Sequence, residues 1–177
     1  MKRDAESTFL ELLKIKAIVK LTDIEREDYL RFFESTYKDN LETAIDNLRK
    51  HPRWSIISGY YAMHDLAKLF LAKKYSLKIV DRVHFATIIA LSSVLKENEQ
   101  QISEAIALLK KAKEIFDENI IGIKPTELVS YLRKGKSERE KAQYYHPKID
   151  LKEISEKASY FLDGVVKPFI KLMEKII

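Results

Sequence analysis

Apolar residues recur at intervals of three and four along most of the chain, which is the pattern of helices that bury one face. The longest such stretch follows Thr22 and Glu25, whose spacing is a capping signature, and it ends at His51, because a residue before proline leaves the helical region. Pro52 suits the first turn of the next helix, which runs to about Tyr75 and is apolar around much of its circumference. This second helix is therefore predicted to be the central one.

The remaining pattern predicts further helices on both sides of this pair. A short opening helix is predicted at Ser7–Lys20, before the pair. After a linker at 76–83, helices follow at Val83–Leu95, Ile102–Phe116 and Glu127–Leu132. The Arg139–His146 segment comes next, and a closing helix runs from Leu151 to Met173 with a bend at Pro168. Together they predict an all-α fold, an antiparallel up-down bundle of about five to six helices. At 177 residues we expect a single domain, 1–177, with its core in 22–175.

The composition excludes several classes of protein. Four glycines and four prolines are too few for the turns of an all-β fold, and the absence of cysteine excludes disulfides, thiolate nucleophiles and cysteine-based zinc sites. The first residues lack the apolar core of a signal peptide, and no apolar run approaches the length of a membrane span, so we expect a cytoplasmic protein. Neither a glycine-rich phosphate loop nor a zinc-type histidine pair occurs, and no cofactor or metal is predicted.

The net charge of +5 is modest, but most of it is concentrated between Tyr131 and Lys148. In this stretch two acidic residues, Glu138 and Glu140, stand against six basic ones: Arg133, Lys134, Lys136, Arg139, Lys141 and Lys148. One interpretation is a surface that binds RNA or nucleotides. The alternative is a solvated lysine-rich loop and helix face, which the charges alone favour equally.

Within this stretch Arg139 precedes His146 by seven residues. If the segment is helical, that spacing returns both side chains to one face, about 10 Å apart. Histidine suits the proton transfer and arginine the charge stabilisation that cleavage of an RNA phosphodiester requires. Tyr144 and Tyr145 between them are candidates for positioning or stacking on an RNA strand. The alternative is a surface arginine paired with a neighbouring glutamate, and a histidine that ends a helix before Pro147.

Other polar residues are better explained by structure than by chemistry. Tyr60 and Tyr61 in the central helix are expected to pack in the core with their hydroxyls directed outward. His64 and Asp65 are predicted to lie on a more polar face, at the surface or in an interface, and His84 to serve structure near the start of a helix. Ser58, Gly59 and Ala62 are small enough to let another backbone approach closely.

Three blocks of the sequence resemble the HEPN family, small helical-bundle domains of archaea and bacteria. The run Ser58–Leu71, with a small residue, paired tyrosines and alanine before an apolar stretch, is similar to the second-helix signature of the family. His84 matches a histidine that opens the third helix, and Arg139–Tyr144 is similar to the family's arginine segment. The resemblance covers roughly residues 25 to 170 and implies a four-helix core with additional helices.

This resemblance implies two functions. Many HEPN proteins are metal-independent endoribonucleases that use an arginine and a histidine with four to six residues between them, which here are Arg139 and His146, with Tyr144, Tyr145, Lys141 and Arg133 as substrate-binding candidates. Such proteins generally form homodimers in which the two motifs face each other. Active members carry asparagine or aspartate after the arginine, where this chain has Glu140. Other members lack the active pair and accompany a minimal nucleotidyltransferase in toxin–antitoxin systems, or bind nucleotides.

Overall fold

The computed structural model describes residues 5–94, 99–120 and 151–177. In chain order the elements are α1 (Ala5–Lys14), β1 (Ile18–Lys20), α2 (Asp23–Lys50), α3 (Pro52–Tyr75), β2 (Leu77–Ile79), α4 (Val83–Val94), α5 (Glu99–Ile120), α6 (Leu151–Phe161), a π-helical segment (Leu162–Val166) and α7 (Lys167–Glu174). The predicted all-α class is confirmed. None of the helices in these ranges is long and apolar enough to cross a membrane.

The two longest helices, α2 and α3, form an antiparallel hairpin. Near the hairpin turn, Ser55 Oγ donates to the carbonyl oxygen of Ala44 at 2.6 Å, and at the far end the Arg26 guanidinium donates to the carbonyl oxygen of Lys73 at 3.1 Å. The helices change over at His51, which precedes proline and has φ −140° and ψ 64°. The predicted boundary between the two helices is therefore confirmed. It could be predicted from the sequence because proline restricts the residue directly before it.

The start of α2 follows only part of the predicted capping pattern. Thr22 occupies the N-cap position with extended backbone, but its hydroxyl donates to Glu25 Oε2 at 2.8 Å instead of accepting from the first turn. Lys78 Nζ on β2 donates to the other carboxylate oxygen at 2.6 Å. The hydrogen bond from Lys78, followed by that from Thr22, lowers the pKa of the Glu25 carboxyl.

Helix α3 is the centre of the core, as its apolar circumference predicts. It packs against α2, α4, α5, α6 and α7, and most of its residues are buried. Gly59 makes the closest approach: a β-carbon there would lie 3.0 Å from Val166 Cγ2 and 3.3 Å from Phe161 Cε1. The small residues of this helix therefore allow the closing helix to pack directly on its backbone.

The closing helix is interrupted at the position that its proline predicts. Residues Leu162–Val166 adopt π-helical hydrogen bonding between α6 and α7, and Pro168 lies in the first turn of α7. Proline has no N–H to donate to the preceding turn, so the regular pattern changes before it. Val165, Val166 and Phe169 are nevertheless fully buried, so the interrupted region remains part of the core.

The opening helix is shorter than predicted, and the linker before α4 contains a strand. Helix α1 ends at Lys14, and Lys16 has a φ of 59°, which turns the chain into β1. Strand β1 pairs with β2 in antiparallel register, with Ile18 opposite Ile79. A three-residue strand has no periodicity of its own, and its formation depends on a partner about sixty residues away.

Candidate functional site

The six residues proposed from the sequence as a site all lie between 121 and 150, outside the described residues. They are the catalytic candidates Arg139 and His146 and the substrate-binding candidates Arg133, Lys141, Tyr144 and Tyr145. Their distances and burial are therefore not part of the structural description, and their shared role remains a prediction. The same holds for Glu140 and for the predicted short helix at Glu127–Leu132.

The described part of the chain contains a different cluster of titratable side chains, built from α3 and the first turn of α4. Tyr60 and His64 lie four residues apart on α3, which places them on one face of the helix. The Tyr60 hydroxyl lies 3.0 Å from His64 Nε2 and 2.9 Å from His84 Nδ1, and the two nitrogens are 3.1 Å apart. The three polar atoms therefore form a closed triangle at hydrogen-bond distance.

Proton counting limits how this triangle is arranged. A ring nitrogen either carries a proton or accepts one, and the hydroxyl carries one of its own. All three contacts are favourable only when one nitrogen is protonated and the other is bare. Either His64 Nε2–H donates to Tyr60 and the hydroxyl donates to His84 Nδ1, or the direction of both hydrogen bonds is reversed.

The surroundings of His64 favour the first arrangement. Its side chain is fully buried, and its Nδ1 has no hydrogen-bond partner within the described ranges. The first arrangement leaves Nδ1 as an unpaired acceptor, whereas the second leaves an unpaired N–H, which is rarer in protein interiors. In the first arrangement His84 Nδ1 accepts from Tyr60, so a neutral His84 carries its proton on Nε2. The cluster therefore fixes the tautomer of His84, whose ring is nearer to the surface than that of His64.

Burial determines the charge state of His64. Loss of solvation, followed by the nearby His84, Lys68 and Lys113, lowers the pKa of His64 to about 2. The imidazole of His64 is therefore neutral at any pH near neutrality. The Tyr60–His64 pair is a fixed, uncharged support for His84.

The cluster reaches the surface through His84 and Tyr61. His84 is half-buried, and its ring centroid lies 6.3 Å from that of Tyr61, which is 40% exposed. Tyr60 is fully buried, so its hydroxyl does not project outward as the sequence suggested. An oriented imidazole beside a partly exposed aromatic ring is an arrangement that suits proton transfer or contact with a planar ligand.

The residue after His64 also corrects a prediction. His64 and Asp65 were both expected at the surface or in an interface, yet both are buried. Asp65 accepts from Asn40 Nδ2 at 3.1 Å and from Lys68 Nζ at 3.0 Å, and the Lys68 ammonium lies 4.7 Å from the centroid of the Phe33 ring. These partners compensate for the loss of solvation of the carboxylate, so its role is to join α2 to α3.

Two grooves lie away from the histidine cluster. One, of about 470 Å³, lies between α1 and α4 and is lined by apolar residues with a few polar ones: Thr8, Glu11, Leu12, Ile15, Arg82, Phe85 and Ile89. The other, of about 360 Å³, lies beside Tyr37, whose hydroxyl donates to Glu174 Oε1 at 3.2 Å. Among the residues that the structure describes, no group of three or more histidine, aspartate or glutamate side chains is placed to hold a metal ion.

Sequence reasoning considered Tyr60, His64 and His84 one by one and missed that they form a unit. The spacing of Tyr60 and His64 was a usable signal, because positions i and i+4 on a helix are neighbours. The contribution of His84 had no local signal, since twenty residues separate it from His64.

Compared with models of protein families, with curated proteins and with solved structures, the chain has no match.

Proposed function

We propose that this protein is an RNA-engaging helical bundle of the HEPN type that cleaves RNA without a metal ion. The observation that carries the proposal is the pair Arg139 and His146, seven residues apart in the most basic stretch of the chain. If this segment is helical, the spacing places a guanidinium and an imidazole on one face, and these are the two groups that phosphodiester cleavage requires. The proposal rests on this pattern and on the resemblance, with the helical bundle as its scaffold.

The geometry of α3 and α4 supports the proposal indirectly. Two of the three blocks that resemble the family, Ser58–Leu71 and His84, are in direct contact through Tyr60 and His64. At this contact the three polar atoms of Tyr60, His64 and His84 lie within 3.1 Å of each other. Polar clusters of this kind are costly to bury unless satisfied, so this one restricts how α3 and α4 pack together.

In the proposed reaction a nitrogen of His146 accepts the proton of the ribose 2′-hydroxyl, and the 2′-oxygen attacks the adjacent phosphorus. The 5′-oxygen of the next nucleotide leaves and takes up a proton from water, and His146 later returns its proton to the solvent, so the products are a cyclic 2′,3′-phosphate and a 5′-hydroxyl. Arg139 donates hydrogen bonds to the phosphate oxygens, where negative charge increases in the transition state. Tyr144 or Tyr145 stacks on a base, while Lys141 and Arg133 contact the backbone.

Cleavage of RNA in the presence of a chelator tests this function. We expect purified protein to cleave a labelled oligoribonucleotide in excess EDTA, and Arg139→Ala and His146→Ala each to lower the rate by about 100-fold or more. Arg31→Ala is the matched control, because its side chain is exposed on α2, pairs with Glu27 and lies outside the segment proposed to bind RNA. Cleavage that survives both active-pair substitutions, or the absence of cleavage by the unmodified protein, contradicts the proposal.

A second candidate function is a non-catalytic module that pairs with itself or with a minimal nucleotidyltransferase. The observation that favours it is the groove between α1 and α4, where Ile15 and Phe85 are 48% and 47% exposed. Large apolar side chains that remain exposed around a groove are typical of interaction surfaces. In this alternative the homodimer is the functional form, and its basic segment binds a nucleotide or RNA without cleaving it.

A further inference from the structure

Trp54, the only tryptophan of the chain, lies in the first turn of α3 and is 60% exposed. Tryptophan is among the side chains with the most apolar surface to bury, and the core of this protein contains Tyr60, Phe161 and Phe169 at complete burial. An exposed tryptophan is therefore not explained by packing. Exposed indoles are frequent where a ligand covers them.

The chain around Trp54 is basic. Arg49 and Lys50 are exposed in the last turn of α2, His51 is exposed at the turn, and Arg53 is half-buried at the start of α3. Arg49 and Lys50 form no ion pair among the residues that the structure describes. No acidic residue occurs from 47 to 64, and the preceding one, Asp46, lies one turn before Arg49 and Lys50 on α2. We call residues 49–54 the basic corner.

A second exposed aromatic ring follows on the same face of α3. Tyr61 lies seven residues after Trp54, which is a rotation of about 700° and a rise of about 10 Å along the helix, the height of about three stacked bases. Tyr61 is 40% exposed, and half-buried Ile57 lies between the two rings on this face. The strip that runs from the basic corner through Ile57 to Tyr61 ends beside His84.

We propose that this strip binds single-stranded RNA, with phosphates at the basic corner and bases stacked on Trp54 and Tyr61. The inference rests on the proposed function, and it places the strand on described residues outside the basic 131–148 segment. Cations next to exposed aromatic rings match the alternation of charge and planar bases in a nucleic acid strand. A single strand fits because only unstacked bases present their faces to a side chain.

The position of Trp54 makes its fluorescence a direct probe of this strip. We expect titration with a 2′-O-methyl oligouridylate, which lacks the attacking 2′-hydroxyl, to quench the tryptophan emission of the full chain. A DNA strand of equal length tests whether the strip requires RNA or binds any single strand. A duplex of the same sequence is expected to quench the emission less. Binding of a labelled oligonucleotide, followed by anisotropy, gives the affinity independently of the tryptophan.

Variants separate the charges from the rings. The double substitution Arg49→Ala with Lys50→Ala is expected to reduce the slope of log affinity against log salt by about 1.4, which is about 0.7 for each lost phosphate contact. Arg31→Ala with Lys38→Ala removes the same charge from exposed positions elsewhere on α2 and is expected to leave the slope near that of the unmodified protein. Trp54→Ala and Tyr61→Ala are each expected to weaken binding by about 5- to 100-fold, and Trp54→Phe by much less.

The possible results distinguish this inference from the proposed function. If the protein binds RNA by anisotropy but its emission does not change, and the basic-corner variant behaves like its control, the strip is not the binding surface and the proposed function stands. If no RNA binds at all, both the proposed function and this inference are contradicted. If Trp54→Ala leaves RNA affinity intact but converts a dimer to a monomer in sedimentation, the strip is a protein interface and the inference is overturned.

Discussion

At the residue scale, the informative group is His64. Its imidazole is buried beside Tyr60 and His84 with one nitrogen unpaired in the described structure, and burial lowers its pKa to about 2. An unfolded chain exposes the same histidine to water, where its pKa is about 6.5. The folded and unfolded states therefore bind different numbers of protons whenever the pH is below about 6.5.

This difference predicts a pH dependence of stability with a definite sign. The folded pKa lies below the unfolded one, so the contribution is fully present above about pH 6.5 and is lost as the pH falls from there toward the folded value. Between pH 7 and pH 5 we expect His64 to lower the free energy of unfolding by about 2 kcal/mol. Urea unfolding of the unmodified protein and of His64→Gln at both pH values measures the effect.

The comparison uses the change with pH rather than absolute stability, because His64→Gln also alters packing. His51→Gln is the matched control, since His51 is exposed at the turn between α2 and α3. We expect the control to keep the full pH dependence and His64→Gln to lose about 2 kcal/mol of it. Equal pH dependence in all three proteins contradicts the burial of a neutral imidazole at this position.

The Tyr60 hydroxyl explains why three polar side chains are tolerated in this part of the core. It is the only oxygen of the triangle, and it accepts from one ring while donating to the other. A buried polar group costs stability unless it is hydrogen-bonded, and this one atom lies within hydrogen-bond distance of both His64 Nε2 and His84 Nδ1. The same atom couples the tautomer of His84 to that of His64.

At the element scale, packing of α3 against the π-helical segment depends on Gly59. Alanine there gains about 1 kcal/mol of helix propensity, but its β-carbon meets Val166 Cγ2 at 3.0 Å and Phe161 Cε1 at 3.3 Å. Both neighbours are fully buried and have little freedom to move. Overpacking costs about 1–3 kcal/mol, so it outweighs the gain in propensity.

We therefore expect Gly59→Ala to lower the free energy of unfolding by about 1 kcal/mol. Gly164→Ala is the matched control, because the three atoms nearest its β-carbon all belong to the ring of Tyr160, which is 53% exposed instead of buried in the core. That variant is expected to be unchanged or slightly more stable. Denaturant unfolding of both variants checks the prediction.

A double variant tests the cause of the effect. If the clash with Val166 is responsible, Val166→Ala should cost less stability in the Gly59→Ala protein than in the unmodified one, because the smaller side chain relieves the contact. Additive effects of the two substitutions would show that the contact with Val166 is not the cause of the loss.

At the scale of the whole molecule, the groove between α1 and α4 is the candidate surface for self-association. The groove between α1 and α4 contains Ile15 and Phe85, and both are about half exposed. The resemblance to the HEPN family implies a homodimer, and we expect a second copy of the chain to bury apolar surface in this groove.

We expect the protein to sediment as a dimer at micromolar concentration and Phe85→Glu to shift it toward the monomer, because a charge in a buried apolar contact is costly. Ile24→Glu is the control, since Ile24 on α2 is 93% exposed and lies outside the groove. Analytical ultracentrifugation measures both. A protein that remains monomeric at all concentrations, or a dimer that Phe85→Glu leaves intact, excludes this groove as the interface.

Much of the helical framework could be predicted from the sequence because it depends on adjacent residues. The period of apolar positions, the proline at 52 and the small residues near Gly59 gave the α2–α3 hairpin and its central helix, and Pro168 marked the interruption before α7. These signals act through backbone sterics and the 3.6-residue repeat, which need no knowledge of distant parts of the chain.

Only the tertiary structure decided which polar groups meet. The pairing of β1 with β2, the burial of His64 and Asp65, and the triangle of Tyr60, His64 and His84 each join residues that a local pattern treats separately. A hydrogen bond depends on distances of a few tenths of an ångström between elements, and one helical sequence is compatible with many such distances. The chain by itself therefore determined its helices, whereas packing determined which side chains act together.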